Sequence, residues 1–241
     1  MTTSQLLVLA KAPVPGRVKT RLCPPFHPLE AARLAAAALA DTLAAVADAP
    51  AARRVLALEG TLGQSPRGFT VVPQAPGGLA TRIAVAMRDT ALRGTATVLV
   101  GMDTPQLTSR LLKDTVLRLH EVGVDAVLGP CVDGGWWCLG LREPRYADLL
   151  AGVPMSTPRT RELTRAALEE HGLHVVGAPV LRDVDTAADA AAVADEAPAT
   201  RFARAYATLG GHRRARPSTG RAPHNSMQRE SERREPVDLP T

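Results

Sequence analysis

Several loops of this chain carry side chains of the kinds that bind phosphate, hold a divalent cation or move a proton. The first is Lys11-Ala-Pro-Val-Pro-Gly16-Arg-Val-Lys19-Thr-Arg21, where Pro13, Pro15 and Gly16 restrict the backbone and Lys11, Arg17, Lys19 and Arg21 supply cations. Charge-assisted hydrogen bonds from such a set suit the phosphates of a nucleotide. It is not a P-loop, because G-x-x-x-x-G-K-S/T is absent, and the dinucleotide fingerprint G-x-G-x-x-G is absent as well. Four cations in a loop are also compatible with a plain solvated surface; their place directly after the first apolar run argues for phosphate.

The next candidates are acids. In Val98-Leu-Val-Gly101-Met-Asp103-Thr-Pro105 a carboxylate follows an apolar run and a glycine. An acid held there can bind Mg²⁺ or Mn²⁺, which favour a few carboxylates plus substrate phosphates. The alternative is that Asp103 or Thr104 caps a helix opened by Pro105. Gly129-Pro-Cys-Val-Asp133-Gly134-Gly135-Trp136-Trp137 places an acid beside two glycines that let the main chain approach a ligand, with a tryptophan to wall off a sugar or base. It also reads as a hairpin turn followed by core tryptophans. Ser156-Thr157-Pro158-Arg159-Thr160 offers hydroxyls at a helix start, as caps or as ligands. In Asp183-Val184-Asp185-Thr186, alternation in an extended segment puts both acids on one side. Asp185 is then a second metal carboxylate beside Asp103, or else a cap for the helix that follows.

These loops need a scaffold, and the apolar pattern supplies one. Leu6–Ala10, Val55–Leu58, Phe69–Val72, Ala96–Val100, Ala126–Leu128, Trp136–Leu141 and Leu173–Val176 are short apolar runs, as strands buried on both faces require. Helical spacing lies between them. Ala32, Ala36, Leu39, Leu43 and Val46 form a stripe on a helix over Pro28–Val46, and two further helices run near Leu79–Leu92 and Leu111–Leu119. Others are expected at Tyr146–Leu150, Pro158–His171 and Thr186–Leu209. Strand and helix in alternation predict an α/β domain with a mainly parallel sheet, whose ligands sit at the carboxyl ends of the strands.

Composition narrows the class. The chain has 241 residues, 45% hydrophobic and 22% charged, which excludes collagenous, coiled-coil and wholly disordered chains. Its net charge is +5, yet residues 210–241 alone hold seven arginines against four acids, so most of the basicity belongs to that tail. Apolar periodicity stops there, which predicts residues 1–209 as the folded domain and 210–241 as a disordered tail. No aromatic interleaves the arginines, which argues against a nucleic-acid partner. Three cysteines with no C-x-x-C spacing signal neither a disulfide framework nor a zinc site. The N-terminus has no signal-peptide pattern and no run reaches membrane-spanning length, so a cytoplasmic protein with no membrane partner is expected.

Together these motifs resemble a family of small bacterial proteins with a GT-A-like nucleotide-diphospho-sugar transferase fold. That family was long catalogued as a domain of unknown function, is often labelled glycosyltransferase, and has members associated with arsenosugar biosynthesis. The resemblance rests on Lys11–Leu22, Gly101-x-Asp-x-Pro105, Gly129-Pro-x-x-Asp-Gly-Gly135, Ser156-Thr157 and Asp183-Val-Asp-Thr186, across residues 5 to about 209. It departs at Gly77-Gly78-Leu79-Ala80-Thr81-Arg82, where the family reads Gly-Asp-Leu-Gly followed by Arg; the acid is missing and Arg82 is retained. The resemblance implies a three-layer α/β/α domain whose first half binds a nucleotide and whose second half receives an acceptor.

The combined reading assigns Lys11, Gly16, Lys19, Arg21, Arg82 and Asp103 to the nucleotide, and Asp103 with Asp185 to Mg²⁺ or Mn²⁺. Gly134, Gly135, Trp136, Ser156, Thr157 and Thr160 go to the acceptor, with Asp133 and Asp103 as catalytic acids. The expected activity is metal-dependent glycosyl transfer from a nucleotide-diphosphate sugar to a small-molecule acceptor. Two alternatives remain. One is guanylyltransferase-like nucleotidylyl transfer from an NTP to a phosphorylated metabolite, which extra acceptor-side cations such as Arg159 and Arg161 would favour. The other is a non-catalytic nucleotide-binding protein, since fold alone does not establish activity.

Overall fold

Residues 4–210 are described by a computed structural model. The expected tail lies outside the described residues, apart from Gly210. Seven strands, β1 (Gln5–Lys11), β2 (Arg53–Glu59), β3 (Thr70–Pro73), β4 (Thr97–Gly101), β5 (Ala126–Pro130), β6 (Trp136–Leu141) and β7 (Val175–Gly177), build one sheet in the order β3-β2-β1-β4-β6-β5-β7. β6 is antiparallel to β4 and β5, and the other pairings are parallel.

The side-chain period of two sorts each strand between the two faces. Leu6, Val8 and Ala10 of β1 join Leu56 and Leu58 of β2 under α1 (Pro28–Asp48) and α3 (Ser109–Leu119). Leu7, Val55 and Ala57 point the other way, to Ile83 and Met87 of α2 (Leu79–Asp89) and, farther along the sheet, toward α4 (Thr160–Glu169). With both faces covered, the strands read as continuous apolar runs. This is the expected α/β/α layering.

Three elements differ from the sequence expectation. The helix expected over Thr186–Leu209 is two, α5 (Ala187–Glu196) and α6 (Arg201–Thr208). Pro198 lies between them; it lacks an N–H and disfavours helical backbone at the residue before it, and Ala197 is accordingly non-helical at φ −131°. The segment around Tyr146–Leu150 is a 3₁₀ run over Pro144–Gly152. On α1 the stripe is displaced. Ala36 is exposed, whereas Leu34, Ala38 and Asp41 are buried.

That displacement has a cause in α5 and α6, which cover the outer side of α1 with Val193, Phe202 and Tyr206 against Leu34 and Ala38. Asp41 is 8% exposed and accepts hydrogen bonds from the backbone N–H groups of Arg201 (3.0 Å) and Phe202 (2.8 Å). A carboxylate from α1 thus satisfies the open N-terminus of α6.

A pH response is built in at the other end of the sheet. His120 closes α3, with its Nε2 3.0 Å from Ser4 Oγ. Burial, and then the Arg142 guanidinium, hold its imidazole below the ordinary histidine value. The unfolded chain therefore binds this proton more readily, and stability is lost as pH falls through the histidine range. A lower urea midpoint is expected at about pH 5.5 than at about pH 7.5, and His120→Gln should narrow that gap. An unchanged gap in the variant would remove His120 as its source.

Candidate active site

Winding reverses at β1, which has β2 on one side and β4 on the other. Loops leaving the carboxyl ends of β1 and β4 diverge there, as at the ligand crevices of other α/β sheets. The result is a cleft of about 500 Å³. Lys11, Lys19, Arg21, Arg82, Asp103, Asp133, Gly135, Trp136, Ser156, Thr157, Thr160 and Asp185 line it, together with Arg17. Gly16 and Gly134 do not. Gly16 (φ +76°) turns the loop that returns Lys19 to the cleft, and Gly134 (φ +91°) lies against the Pro158 backbone.

At the centre sits Lys19. Its Nζ is 2.8 Å from Asp103 Oδ1 and 3.1 Å from Asp185 Oδ1, and its side chain is 9% exposed against 42% and 36% for the two acids. Arg21 Nη1 lies 3.3 Å from the second Asp185 oxygen. Burial alone lowers the Lys19 pKa, but the two carboxylates outweigh it and hold the ammonium above its ordinary value. Lys19 and Ser156 are the non-glycine residues with positive φ among the described residues, at 48° and 59°, and both face this cleft. Such backbone costs of order 1 kcal/mol and persists where the surroundings fix it.

Neither acid is a helix cap. Pro105 opens a turn rather than a helix; α3 begins at Ser109, where Thr108 Oγ1 accepts from Leu111 N at 3.1 Å. Thr186 forms a capping box with Asp189 at α5, leaving Asp185 outside it. The Val184 N–H donates to the Asp103 carbonyl at 2.9 Å, fastening the two acid-bearing loops together. Their carboxylates converge on one ammonium, and carboxylate oxygens at a strand edge are the donor type that Mg²⁺ or Mn²⁺ takes.

Toward β2 and β3 lies a second ionic group. Glu59, at the end of β2, is 2.9 Å from Lys11 Nζ through one oxygen and 2.6 Å from Arg82 Nη1 through the other. The Lys11 hydrogen bond, joined by the charges of Lys11 and Arg82, outweighs the opposing effect of burial and holds the Glu59 carboxyl below its ordinary range. Gln74 accepts from Arg82 at 3.2 Å while its amide nitrogen donates to the carbonyls of Ala10 (2.7 Å) and Ala57 (3.0 Å). Arg82 is thereby aimed at the cleft. Sequence reasoning missed Glu59 and Gln74, although a polar residue closing an apolar strand run is the same signal that pointed to Asp103.

The opposite wall is acidic and apolar. Asp133 Oδ1 accepts from the Gly135 N–H at 2.7 Å, fixing that carboxylate at the mouth. Asp183, unassigned in the sequence reading, lies with Asp133 and Cys131 so that their ligand atoms fall within 4.8 Å of one another. Burial, then the charges of Asp133 and Asp185, raise the Asp183 pKa to about 6. Burial, then the charges of Asp183 and Asp133, push the Cys131 thiol up, and the two carboxylates of this group are the donors a hard cation prefers. Trp136 lines the cleft with its Nε1 donating to Thr164 Oγ1 at 3.2 Å, whereas Trp137 is 2% exposed and belongs to the core.

The hydroxyl segment is mostly self-satisfied. Thr160 Oγ1 donates to the Pro154 carbonyl (3.0 Å) and accepts from the Thr157 N–H (2.9 Å), bracing the loop that carries Ser156. Arg159 is paired with Glu162 at 2.9 Å, and neither Arg159 nor Arg161 lines the cleft. Among the described residues no helix is long and apolar enough to cross a membrane.

The fold is that of nucleotide-diphospho-sugar transferases. A protein from Desulfovibrio desulfuricans G20, provisionally named a nucleotide-diphospho-sugar transferase, superposes with a TM-score of 0.77 at 25% identity, over 89% of this chain and 97% of its own. Rv0371c from Mycobacterium tuberculosis H37Rv gives 0.52 at 22% identity over 80% and 97%. CMP:2-keto-3-deoxy-manno-octonic acid synthetase in complex with CTP gives 0.52 at 11% over 82% and 99%, a likeness of fold alone. No curated protein matches the sequence. The family profile described as "uncharacterized protein conserved in bacteria" (DUF2064) matches residues 32–157, more than half of the chain, and the protein belongs to that family.

Proposed function

We propose that this protein is a transferase that passes a sugar from a nucleotide-diphosphate donor to a hydroxyl of a small-molecule acceptor, with Mg²⁺ or Mn²⁺ as cofactor. The observation that carries the reading is the division of charge in the cleft. Lys11, Arg17, Lys19, Arg21 and Arg82 outnumber the acids they pair with, Glu59, Asp103 and Asp185, whereas Asp133 of the β5–β6 turn and Asp183 of the segment after β7 lie beside the Cys131 thiol with no cation in ion-pair contact among the described residues. A diphosphate is attracted to the first group. A phosphorylated acceptor would meet carboxylates without a paired cation at the second, whereas a hydroxyl would meet a proton acceptor. Arg159 and Arg161, the cations that would have favoured nucleotidylyl transfer, lie outside the cleft.

In this reading Lys11, Arg17, Arg21 and Arg82 hold the diphosphate, and Asp103 and Asp185 hold the divalent ion. When bound, that ion offsets charge developing on the departing nucleoside diphosphate. Trp136 walls the sugar, and the open oxygen of Asp133 takes the proton of the acceptor hydroxyl as its oxygen bonds to the anomeric carbon. The bond from that carbon to the diphosphate oxygen breaks with its electron pair leaving on the nucleotide. General-base help of this kind contributes roughly 10²- to 10⁴-fold.

The test is thermal stability with UDP-, GDP-, CDP- and dTDP-sugars and with free NTPs, each with and without Mn²⁺. Ligand at about 100 times its dissociation constant adds ~2.7 kcal/mol, a readily measured rise in melting temperature. Metal-dependent stabilisation by a nucleotide-sugar is expected. Stabilisation by an NTP and by no nucleotide-sugar would shift the assignment to nucleotidylyl transfer, and no stabilisation by any nucleotide would leave a protein that uses this fold for something else.

A further inference from the structure

The central feature of the cleft is an ammonium seated where the proposed metal belongs, and this bears on the order in which ligands enter. Lys19 Nζ takes the Oδ1 atoms of both Asp103 and Asp185, at 2.8 and 3.1 Å. The lysine is the most deeply placed of the three, held by a left-handed backbone at φ 48°, ψ 39° that a lysine adopts only under constraint. Arg21 occupies the remaining Asp185 oxygen at 3.3 Å. One carboxylate pair therefore already has its counter-charge, and a divalent cation entering beside that ammonium meets a like charge a few ångströms away.

We infer that Lys19 keeps the metal seat filled in the nucleotide-free protein and yields it when a diphosphate arrives, so that divalent-metal binding is coupled to nucleotide binding. A diphosphate brings oxyanions that replace both carboxylates as partners of Lys19. The ammonium moves by side-chain rotation to the phosphate, and Asp103 and Asp185 turn their oxygens to the ion. By linkage, the factor by which nucleotide tightens the metal equals the factor by which metal tightens the nucleotide. The neighbouring charges are consistent with this economy. Among the described residues neither Asp133 nor Asp183 has a cation in ion-pair contact, whereas Lys19 and Arg21 pair with Asp103 and Asp185.

The inference rests on the metal assignment of the proposed function, but its test needs no nucleotide. Mn²⁺ is titrated into the nucleotide-free full-length protein and the free ion followed by its paramagnetic resonance signal, for the wild type, Lys19→Met and the double variant Lys19→Met/Asp103→Asn. Lys19→Met retains the length of the side chain and removes its charge. At least a tenfold tighter Mn²⁺ dissociation constant is expected for Lys19→Met than for the wild type, with that gain lost in the double variant. Should Lys19→Met melt far below the wild type, Lys19→Gln serves as the second variant with the same expectation. Equal Mn²⁺ affinity in wild type and both single variants overturns the inference, as does a gain that survives Asp103→Asn. A failure of every nucleotide to bind would overturn the proposed function and the coupling with it, whereas equal Mn²⁺ affinities with nucleotide binding intact would overturn the inference alone.

Discussion

Asp103→Asn is expected to lower transfer activity by about 10²- to 10³-fold, the loss typical of removing one preorganised electrostatic group from a transition state. The change in stability should be small. The Asp103 side chain pairs with Lys19 and caps no helix, and its backbone is fixed independently by the hydrogen bond from Val184 to its carbonyl. Asparagine keeps the shape and one oxygen but loses the charge that binds either Lys19 or a divalent ion. Lys19 retains Asp185, so the buried ammonium is not stranded. Turnover with the nucleotide-sugar that most raises the melting temperature, alongside thermal denaturation of both proteins, separates the two effects. Wild-type turnover with unchanged metal dependence in Asp103→Asn would remove this residue from the chemistry.

Gly134→Ala is expected to destabilise the fold by roughly 2 to 4 kcal/mol, the sum of a left-handed alanine and an overpacked contact. For a domain of this size the melting temperature should drop on the order of 10 °C. Gly134 has φ +91°, and a Cβ there would overlap the Pro158 carbonyl oxygen and lie 2.6 Å from its carbon and 2.8 Å from its Cα. These are backbone atoms that no rotamer change can move. They are held in place because the Gly134 carbonyl accepts from Arg161 N at 3.0 Å, docking the β5–β6 turn on the start of α4. Gly16→Ala is the control: φ is +76°, but its Cβ would meet nothing within 4 Å, so only the conformational cost of about 1 kcal/mol is expected. Equal melting temperatures for the two variants would show that the turn yields to the collision.

The contrast between these glycines marks a limit of sequence reading. Gly134 looked like a ligand-approach glycine because it sits between Asp133 and Trp136 in a loop after a strand. Its use is to let two backbone segments touch, and the second segment is more than twenty positions away. The helix break at Pro198 was legible and was overrun by an alanine-rich pattern on both sides. The displaced stripe on α1 was not legible, because which side of that helix is covered depends on α5 and α6 arriving from the far end of the chain. Glu59 and Gln74 followed a rule already applied to Asp103, and their place at the cleft became evident from their bonds to Lys11, Arg82 and two strand-end carbonyls.

Local chemistry by itself determined the strands, their burial on both faces and the clustering of ionisable residues just past their ends. Those properties follow from short-range apolar period and from the rule that parallel sheets present ligands at their carboxyl edge. Pairing among the charges was decided by the tertiary structure alone. Lys19 and Asp185 are 166 positions apart, and they meet because the loop ending in Asp185 is hydrogen-bonded to the one after β4, which lies beside β1 in the sheet. Periodicity carries no information about such neighbours. The same five cations and five acids could have been a solvated rim; sheet order made them a cleft with a buried ammonium at its centre.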